Sequence, residues 1–373
     1  MTILIIGSSH KEFLRLNNYF NTLDITGIRR FMTVEEAKDD QSSFLQTEVD
    51  LIIFDVIFTQ GYDEEIYQNI QLLHRWVDAP ILLSTTYDKT KTIEKAFECG
   101  IFDFIPKPFS YTHFKARIQV ALKYREETKL RKHREMNWQK ELAIAKKVQK
   151  NALTPPLSLK HIQVDGLYVT SNTLGGDMYS WFKINDDLTA ILLFDVMGHG
   201  VAASLITMSI RSLLKGMITK LIDPVFVIND LNRHIYELFS DENMDRFLVT
   251  AIYILIDTKN NTLHYVNASH PSGFLFGKYG ETVMLPANTP ILGLFPTTQV
   301  TKKTLKLSGW SRVILYTDGL LTLNESQTID VNQFHSYADQ DNADALQIFS
   351  ENNNLLENYY SDDITVVSIT ITL

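Results

Sequence analysis

The chain has 373 residues, of which 45% are hydrophobic, and this is enough material for two domain cores joined by a connector. Its formal net charge of -9 at pH 7 disfavours nucleic acid as the main partner, because an acidic surface repels phosphate backbones. The single cysteine, Cys99, excludes a disulfide bond within the chain, and the longest apolar runs have the length of strands rather than of membrane spans. We therefore predict a cytoplasmic protein without a signal peptide or a membrane partner.

The first third of the chain alternates short apolar runs with segments of helical spacing. The apolar runs at residues 2–7, 49–54, 80–83 and 101–105 have the length of buried strands. This alternation predicts a parallel sheet with helices on both faces, which is a doubly wound α/β domain. Functional residues in such a sheet lie at the carboxyl ends of the strands, and Asp55 follows one of these runs.

A long charged segment comes next. Residues 111–153 contain neither proline nor glycine, and residues 115–141 are dense in Lys, Arg and Glu. This composition predicts one long, mostly solvated helix that ends near Thr154, before Pro155 and Pro156. Two interpretations stay open, because the apolar positions are too irregular to decide between them: a charged spacer, or a dimerising helix that transmits a signal.

Beyond Pro156 strand-like segments become frequent, and two helices are grouped together. Strands are predicted at residues 164–170, 190–195, 249–257, 262–267, 312–317 and 364–373, and helices at 202–220 and 225–239. Strands grouped apart from helices favour an antiparallel α+β layer fold. The sequence therefore predicts a multidomain chain, with an α/β domain at 1–122, a helical linker at 123–155 and an α+β domain at 156–373.

Four aspartates of the last domain lie at strand ends beside flexible or polar turns. They are Asp177 after two glycines, Asp195 before Gly-His-Gly, Asp318 before a glycine, and Asp362 before the last strand. A single aspartate in a turn usually caps backbone amides. Four in this pattern predict a carboxylate cluster, whose mutual repulsion a hard divalent cation such as Mg²⁺ or Mn²⁺ relieves. Two such ions that share a carboxylate are suited to phosphoryl transfer.

Seven segments of this part of the chain occur in the order seen in PPM-type protein phosphatases, and they resemble the SpoIIE-like, type 2C branch of that family. They read ELAIAKKVQKNALTPP, LGGDMYSW, FDVMGHGVAAS, VTAIYILID, YVNASHPSGFLF, ILYTDGLLT and SDDITVVSI, and they extend from Glu141 to the C-terminus. The resemblance implies an α-β-β-α sandwich. It also implies a metal-dependent serine/threonine protein phosphatase of bacterial signalling.

The resemblance also implies a ligand set and a substrate. The family's metal-coordinating aspartates fall on Asp177, Asp195, Asp318 and Asp362, with Asp195 bridging two Mn²⁺ or Mg²⁺ ions and Val196 lending its carbonyl. Water that the ions activate attacks the phosphorus, and no covalent enzyme intermediate forms. The implied substrate is a phosphoserine or phosphothreonine protein, which in SpoIIE-like systems is typically a STAS-type anti-sigma-factor antagonist.

Two positions depart from the family pattern without removing an implied ligand. Ser180 stands where the family often has aspartate, and Ser269 replaces the glycine of the family's A-G-H-P motif. Two histidines of these motifs, His199 and His270, admit a catalytic interpretation. A structural role that holds a turn is the favoured interpretation for each of them.

Residues 1–122 resemble the CheY-like receiver domain. Asp55 matches the phosphoacceptor, Thr85 and Phe104 match the switch residues, and Lys107 matches the lysine that pairs with the phosphoryl group. The resemblance implies a response regulator of a two-component system, with a sensor histidine kinase as a possible partner. Such a receiver would regulate the phosphatase through the linker helix or through a homodimer.

One departure from the receiver pattern affects its chemistry. Gly7 and Ser8 occupy the positions of the two adjacent acidic residues that hold Mg²⁺ in receivers. Without them we expect weak Mg²⁺ binding and slow phosphorylation of Asp55. The alternative is a degenerate receiver that serves as a docking or dimerising module. Pro108 stands where receivers usually have a cis-proline.

Other interpretations account for less of the sequence. The G-x-G-x-x-A pattern at Gly198 matches a dinucleotide fingerprint but leaves three of the four aspartates unexplained. GGDMY resembles the GGDEF motif of diguanylate cyclases, yet Met178 replaces the acidic residue. Cys99 lacks the arginine of the C-x5-R pattern of cysteine phosphatases, since Ile105 stands there, and no P-loop motif is present. The serious alternative is a catalytically inactive scaffold that regulates by binding a partner protein.

Overall fold

The computed structural model describes residues 1–40, 49–56, 63–86, 90–239, 246–278, 280–321 and 360–373. The chain forms two compact units, Met1–Trp138 and Gln139–Leu373. The boundary between them lies within one helix, α5 (Tyr111–Ala152), which confirms the long helix predicted from the lack of proline and glycine.

The first unit is a parallel sheet with helices. Before α5, its elements are β1 (Ile3–Ile6), α1 (His10–Asn21), β2 (Ile28–Phe31), α2 (Val34–Asp39), β3 (Leu51–Asp55), α3 (Asp63–Trp76), β4 (Ile81–Thr86), α4 (Thr90–Glu98) and β5 (Asp103–Lys107). The strand order is β2-β1-β3-β4-β5, and all four pairs are parallel. Leu4 and Ile6 face one apolar core, whereas Ile3 and Ile5 face another, so both faces are covered. This confirms the doubly wound α/β fold.

Four strands of this sheet match predicted apolar runs, whereas β2 was missed. β2 is only four residues long and contains Arg29 and Arg30, so it lacks the apolar character of a buried strand. It lies at the edge of the sheet, where both arginines are half-buried. β3 ends at Asp55, as the sequence predicted.

The helix α5 is mostly solvated. It has 42 residues, which corresponds to about 63 Å at 1.5 Å per residue. Residues 130–141 are all exposed, as expected of a segment rich in charged side chains. Burial returns only near the end of the helix, where Gln149 is buried.

The second unit contains two antiparallel sheets and two helices. Its elements are β6 (Leu157–Ser158), β7 (Ile162–Val169), β8 (Asp177–Lys183), β9 (Leu188–Val196), α6 (Val201–Leu221), α7 (Pro224–Leu238), β10 (Val249–Asp257), β11 (Thr262–Ala268), β12 (Gly273–Gly277), β13 (Thr282–Leu285), β14 (Lys303–Lys306), β15 (Trp310–Tyr316) and β16 (Ile364–Thr372). Sheet I has the order β14-β11-β10-β9-β8, and sheet II has the order β13-β12-β15-β16-β7-β6. The strands β6, β8, β12, β13 and β14 were not predicted.

The layers follow from the two faces of β9. Leu192 and Phe194 pack into a core with α6 and α7, whereas Ile191 and Leu193 pack into a second core with residues of sheet II. Helices therefore cover one face of sheet I, and sheet II covers the other. These three layers agree with the expected α-β-β-α sandwich as far as the described residues extend.

The helix α6 is long and apolar enough, by length and composition, to cross a membrane. However, eight of its residues are buried within the second unit, among them Ile210 and Leu214. Ile210 and Leu214 belong to the core between α6, α7 and sheet I, which is typical of a helix in a domain core.

Candidate active site

The four aspartates meet at one edge of the second unit. Asp177 begins β8 and lies directly opposite Asp195 in the β8–β9 pair of sheet I. Asp318 begins a short 3-10 helix after β15, and Asp362 lies two residues before β16, so both are carried by sheet II. Burial, followed by the charges of Asp318 and Asp362, raises the pKa of Asp195 to about 7. The carboxyl groups from the two sheets therefore act on one another.

Asp177 is the most deeply buried of the four. Its Oδ2 accepts hydrogen bonds from Thr317 Oγ1 and Thr365 Oγ1, both at 2.7 Å. Burial raises the pKa of Asp177 well above its ordinary value, and the charge of Asp195 adds to the rise. The two hydroxyls oppose that rise, because they stabilise the ionised carboxylate and fix its orientation.

Asp363 joins the loop before Asp177 to the turn before β16. Its carboxylate accepts hydrogen bonds from Ser171 N at 2.7 Å, from Ser171 Oγ at 3.0 Å and from Gly176 N at 2.6 Å. Its own N–H donates to Asp362 Oδ1 at 2.8 Å. Asp363 thus orients both the loop that carries Asp177 and the side chain of Asp362.

Close backbone approaches explain two glycines of the motifs. A Cβ at Gly176 would lie 2.7 Å from the carbonyl oxygen of Val196, and one at Gly319 would lie 2.0 Å from the carbonyl oxygen of Asp363. No larger residue fits at either position without movement of the backbone. The carbonyl of Val196, which the family resemblance assigns to a metal, therefore lies against the glycine that precedes Asp177.

Two helices hold the same glycine loop. Near the end of α5, Gln149 Nε2 donates to Gly175 O at 2.7 Å, and Gly175 N donates to Gln149 Oε1 at 3.1 Å. In α6, Thr207 Oγ1 donates to Gly176 O at 2.6 Å. The residues before Asp177 are therefore fixed by hydrogen bonds from both helices.

Several of these supporting residues were missed by sequence reasoning. Thr317 and Thr365 carried a signal, since each lies within three residues of a predicted ligand in the Y-T-D-G and D-D-I-T motifs. Asp363 was seen only as the neighbour of Asp362. Gln149 carried no signal, because it resembles the other polar residues of a charged helix.

The donor set fits hard divalent cations. All four side chains offer carboxylate oxygens, which Mg²⁺ and Mn²⁺ prefer. The largest influences on the pKa values of Asp177, Asp195 and Asp318 include burial and neighbouring carboxylates, and no lysine or arginine of the described chain is among them. In the same part of the chain, no three acidic, histidine or cysteine side chains already form a cage for one ion. The described carboxylates therefore offer the ligand chemistry of a hard divalent ion without already enclosing one.

The two histidines of the motifs have different surroundings. His199 is exposed, and its Nδ1 lies 3.0 Å from Asn172 Nδ2. His270 is buried, and its Nδ1 lies 2.7 Å from Thr250 Oγ1. Ser269, which replaces the family's glycine, has a φ of 51°, so this turn requires the left-handed conformation that glycine adopts most easily. Ser180 is buried in β8, away from solvent.

The predicted receiver residues also lie together, at the carboxyl ends of the strands of the first unit. Asp55 ends β3 and forms an ion pair with Lys107, which ends β5. Burial raises the pKa of Asp55, and Lys107 opposes this rise. Thr85 is buried in β4, and Phe104 in β5 makes an edge contact with Phe97 at 6.3 Å between ring centroids. The peptide bond between Lys107 and Pro108 is cis.

The magnesium site of ordinary receivers does not fit this chain. Gly7 and Ser8 supply no carboxylate, and Gly7 has a φ of 82°. A Cβ at Gly7 would lie 2.5 Å from the carbonyl oxygen of Asp55. Ser8 is fully buried, and its carbonyl accepts a 2.8 Å hydrogen bond from Arg30 Nη2. The carbonyl oxygen of Asp55 therefore occupies the place where a side chain at position 7 would begin.

Comparison with known proteins agrees with both units. The family model for stage II sporulation protein E (SpoIIE) matches residues 185–372, and that for the response regulator receiver domain matches residues 3–119. The phosphoserine phosphatase RsbP of Bacillus subtilis is 37% identical over 186 residues, which cover 50% of this chain and 46% of RsbP. The phosphoserine phosphatase RsbU of the same organism is 24% identical over 183 residues, which cover 48% of this chain and 53% of RsbU. The chain thus spans about half the length of these relatives.

A solved structure shows the same fold. The PP2C domain of SiaA from Pseudomonas aeruginosa superposes with a TM-score of 0.54 at 19% identity, and the match covers 64% of this chain and 98% of that domain. Because the SpoIIE match spans half of the chain and the receiver match covers most of its first unit, the assignment rests on the sequence of both units. The chain belongs to the SpoIIE family and carries a response regulator receiver domain in its N-terminal unit.

Proposed function

We propose that this protein is a metal-dependent phosphatase that removes phosphate from phosphoserine or phosphothreonine in a protein. One observation carries the proposal: carboxyl groups of Asp177, Asp195, Asp318 and Asp362, from two sheets, act on one another at one edge of the second unit. Such a cluster suits divalent cations and a phosphate group. RsbP and RsbU, which are named phosphoserine phosphatases, support the same reaction class.

Each aspartate has a distinct part in this proposal. Asp195 is assigned to both ions, because it lies opposite Asp177 and the charges of Asp318 and Asp362 raise the pKa of its carboxyl group. The carbonyl of Val196 is assigned as a further ligand. When bound, a pair of Mn²⁺ or Mg²⁺ ions neutralises phosphate charge and activates water. The chain itself holds the ligands in place.

We further propose a STAS-type anti-sigma-factor antagonist as the substrate and the cytoplasm as the location, both on the strength of the family resemblance. In the same proposal the receiver regulates the phosphatase through residues 123–155 or through a homodimer formed by α5. Gln149 supports a role for α5, because it holds Gly175 two residues before Asp177. Asp55 corresponds to the phosphoacceptor of receivers, and Thr85, Phe104 and Lys107 correspond to their switch residues. Because Gly7 and Ser8 replace the acidic pair, we propose that this receiver acts as a docking or dimerising module rather than as the target of a sensor histidine kinase.

The deciding experiment measures hydrolysis of p-nitrophenyl phosphate and of a phosphoserine protein by the full chain at increasing Mn²⁺ or Mg²⁺. We expect turnover that requires the metal and a loss of roughly a thousandfold in Asp195→Asn, because removal of one electrostatic group at the reacting centre has effects of this size. Asp186→Asn is the matched control, since Asp186 is exposed in the turn at the far end of the β8–β9 pair. Equal activity of the two variants would refute the role of Asp195.

The competing function is a catalytically inactive scaffold that binds a partner protein. An inactive scaffold has no need of a carboxylate cluster that destabilises its own fold. Absence of turnover at every Mn²⁺ and Mg²⁺ concentration, in a chain that is folded and binds a STAS protein, would favour the scaffold.

A further inference from the structure

His270 is a buried titratable residue that the proposed chemistry does not use. It lies in the turn between β11 of sheet I and β12 of sheet II. Its backbone N–H donates to Asn267 Oδ1 at 2.8 Å, and its Nδ1 lies 2.7 Å from Thr250 Oγ1. The turn thus directs the imidazole toward β10 rather than toward solvent.

The imidazole lies beside one strand of each sheet, β10 of sheet I and β15 of sheet II. Thr250 lies directly opposite Asp195 in the β9–β10 pair of sheet I. On the other side, the carbonyl of Tyr316, the last residue of β15, acts on the ring and partly opposes the effect of burial on its pKa. Asp318 lies two residues beyond Tyr316. His270 therefore lies between a neighbour of Asp195 on sheet I and the strand end that carries Asp318 on sheet II.

The surroundings of the ring exclude proton transfer as its role. Burial lowers the pKa of His270 to about 3, so the ring is neutral near pH 7. Its Nε2 is buried and has no hydrogen-bond partner of normal geometry within the described residues. A general acid needs a pKa near the working pH and access to the reacting group, and His270 has neither.

The same features argue against a role in stability alone. A buried ring nitrogen without a good partner disfavours the folded state, and an apolar side chain would avoid that cost. The polar ring is useful where a hydrogen bond must fix a particular neighbour. That neighbour is Thr250, whose position is coupled to Asp195 by the pairing of β9 with β10.

We propose that His270 is a positioning residue that sets the spacing between the Asp177–Asp195 pair of sheet I and Asp318 of sheet II. It acts through Thr250 and the end of β15, and it thereby sets the affinity of the cluster for divalent ions. This inference rests on the proposed function, because it assumes that the cluster binds such ions.

The test compares Mn²⁺ binding by the full-length wild type, His270→Leu and Thr250→Val, measured by electron paramagnetic resonance without substrate. We expect each variant to bind Mn²⁺ about tenfold more weakly, which is the size of effect seen when a group that orients metal ligands is removed. The double variant should be no weaker than either single variant, because both remove the same hydrogen bond. His270→Asn, which retains a polar atom near the position of Nδ1, should recover most of the affinity.

A matched histidine–threonine pair provides the control. His264 in β11 contacts Thr304 in β14, with 2.8 Å between Nδ1 and Oγ1, in the same sheet. His264 lies opposite Leu255, five residues along β10 from Thr250, or about 17 Å at the rise of a strand. His264→Leu and Thr304→Val should therefore leave Mn²⁺ affinity unchanged.

Three outcomes separate this inference from the proposed function. Wild-type Mn²⁺ affinity in Thr250→Val, a variant expected to fold even if His270→Leu does not, overturns the positioning role. A shift of the acidic limb of the pH–rate profile in His270→Asn also overturns it, since a neutral positioning residue leaves that limb in place. If the His270 variants bound Mn²⁺ more weakly than the wild type, but the wild type showed no phosphatase turnover, the proposed function would be refuted and the positioning role of His270 would be retained.

Discussion

Asp177 and Asp195 lie directly opposite each other across the β8–β9 pair, and each carboxyl group affects the pKa of the other. Like charges in opposite positions destabilise a sheet, and burial increases the cost. The pKa values of both carboxyl groups are therefore raised when no cation is bound. The pair lowers the stability of the metal-free fold, and a divalent cation bound to both carboxylates would raise it.

This loss of stability predicts that Asp195→Asn stabilises the metal-free protein. At pH 8 we expect its free energy of unfolding to rise by about 2 kcal/mol, because one pKa unit corresponds to about 1.4 kcal/mol and the cluster shares the cost. The folded-state pKa of Asp195 is about 7 against an ordinary value of 3.8, so the folded protein binds more protons than the unfolded chain between these values. The free energy of unfolding of the wild type therefore falls as the pH rises from about 4 to about 7, because the folded protein must release the extra proton.

Urea denaturation in the presence of a chelator tests this prediction. The advantage of Asp195→Asn over the wild type should shrink from pH 8 toward pH 4, where both side chains are neutral. Saturating Mn²⁺ should reverse the order of stability, because only the wild type retains the shared ligand. A variant that is less stable than the wild type at pH 8 without metal would contradict the assignment of strain to Asp195.

The threonines around Asp177 provide a second prediction. Thr365→Val removes one of the two hydroxyls that donate to Asp177 Oδ2, so the pKa of Asp177 should rise further. Protons then compete better with metal, and Mn²⁺ affinity should fall about tenfold, with a larger loss at pH 6 than at pH 8. Thr370→Val, in the same strand but at the far end from the cluster, is the control for isothermal titration calorimetry. An equal loss at both pH values would argue against competition by protons.

Sequence reasoning located the four aspartates because each lies where an apolar strand meets a glycine or a polar turn, which is a local signal. The contacts that hold them are not local. Thr317 and Thr365 reach Asp177 across separations of 140 and 188 residues, so their roles depend on how two sheets pack. β8 was not predicted as a strand, although Asp177, its first residue, was placed at a strand end.

The glycines provide a third prediction, in which two Gly→Ala variants change the free energy of unfolding in opposite directions. Gly176→Ala places a Cβ 2.7 Å from the carbonyl oxygen of Val196, so we expect lower stability and at least about tenfold weaker Mn²⁺ binding. Gly216 lies within α6 and would place a Cβ in open space, so Gly216→Ala should raise the free energy of unfolding by about 1 kcal/mol. Denaturation and Mn²⁺ titration of both variants check this contrast. If Gly176→Ala were as well tolerated as Gly216→Ala, the close approach to Val196 would be refuted.

A fourth prediction concerns the receiver. Because Gly7 approaches Asp55 O and Ser8 is buried, the loop offers Mg²⁺ no carboxylate, and Lys107 already neutralises Asp55. We expect the full chain to show no Mg²⁺-dependent binding of beryllofluoride and no measurable labelling of Asp55 by acetyl phosphate. Mass spectrometry of the wild type and Asp55→Asn measures this directly, and labelling lost only in Asp55→Asn would contradict it.

Restoring an acid at Gly7 should not rescue phosphorylation. Gly7→Asp meets both a φ of 82° and a 2.5 Å approach to Asp55 O, so we expect a loss of about 1–3 kcal/mol in the free energy of unfolding. Gly280 has a similar φ of 87° but open space around a Cβ, so Gly280→Asp tests the effect of the backbone conformation alone. Its free energy of unfolding should fall by less than that of Gly7→Asp. The difference between the two variants measures how firmly the loop is packed against Asp55. A Gly7→Asp variant that is stable and gains Mg²⁺-dependent labelling would contradict this prediction. It would show that the loop accommodates the side chain and that a single acidic residue is enough for phosphorylation of Asp55.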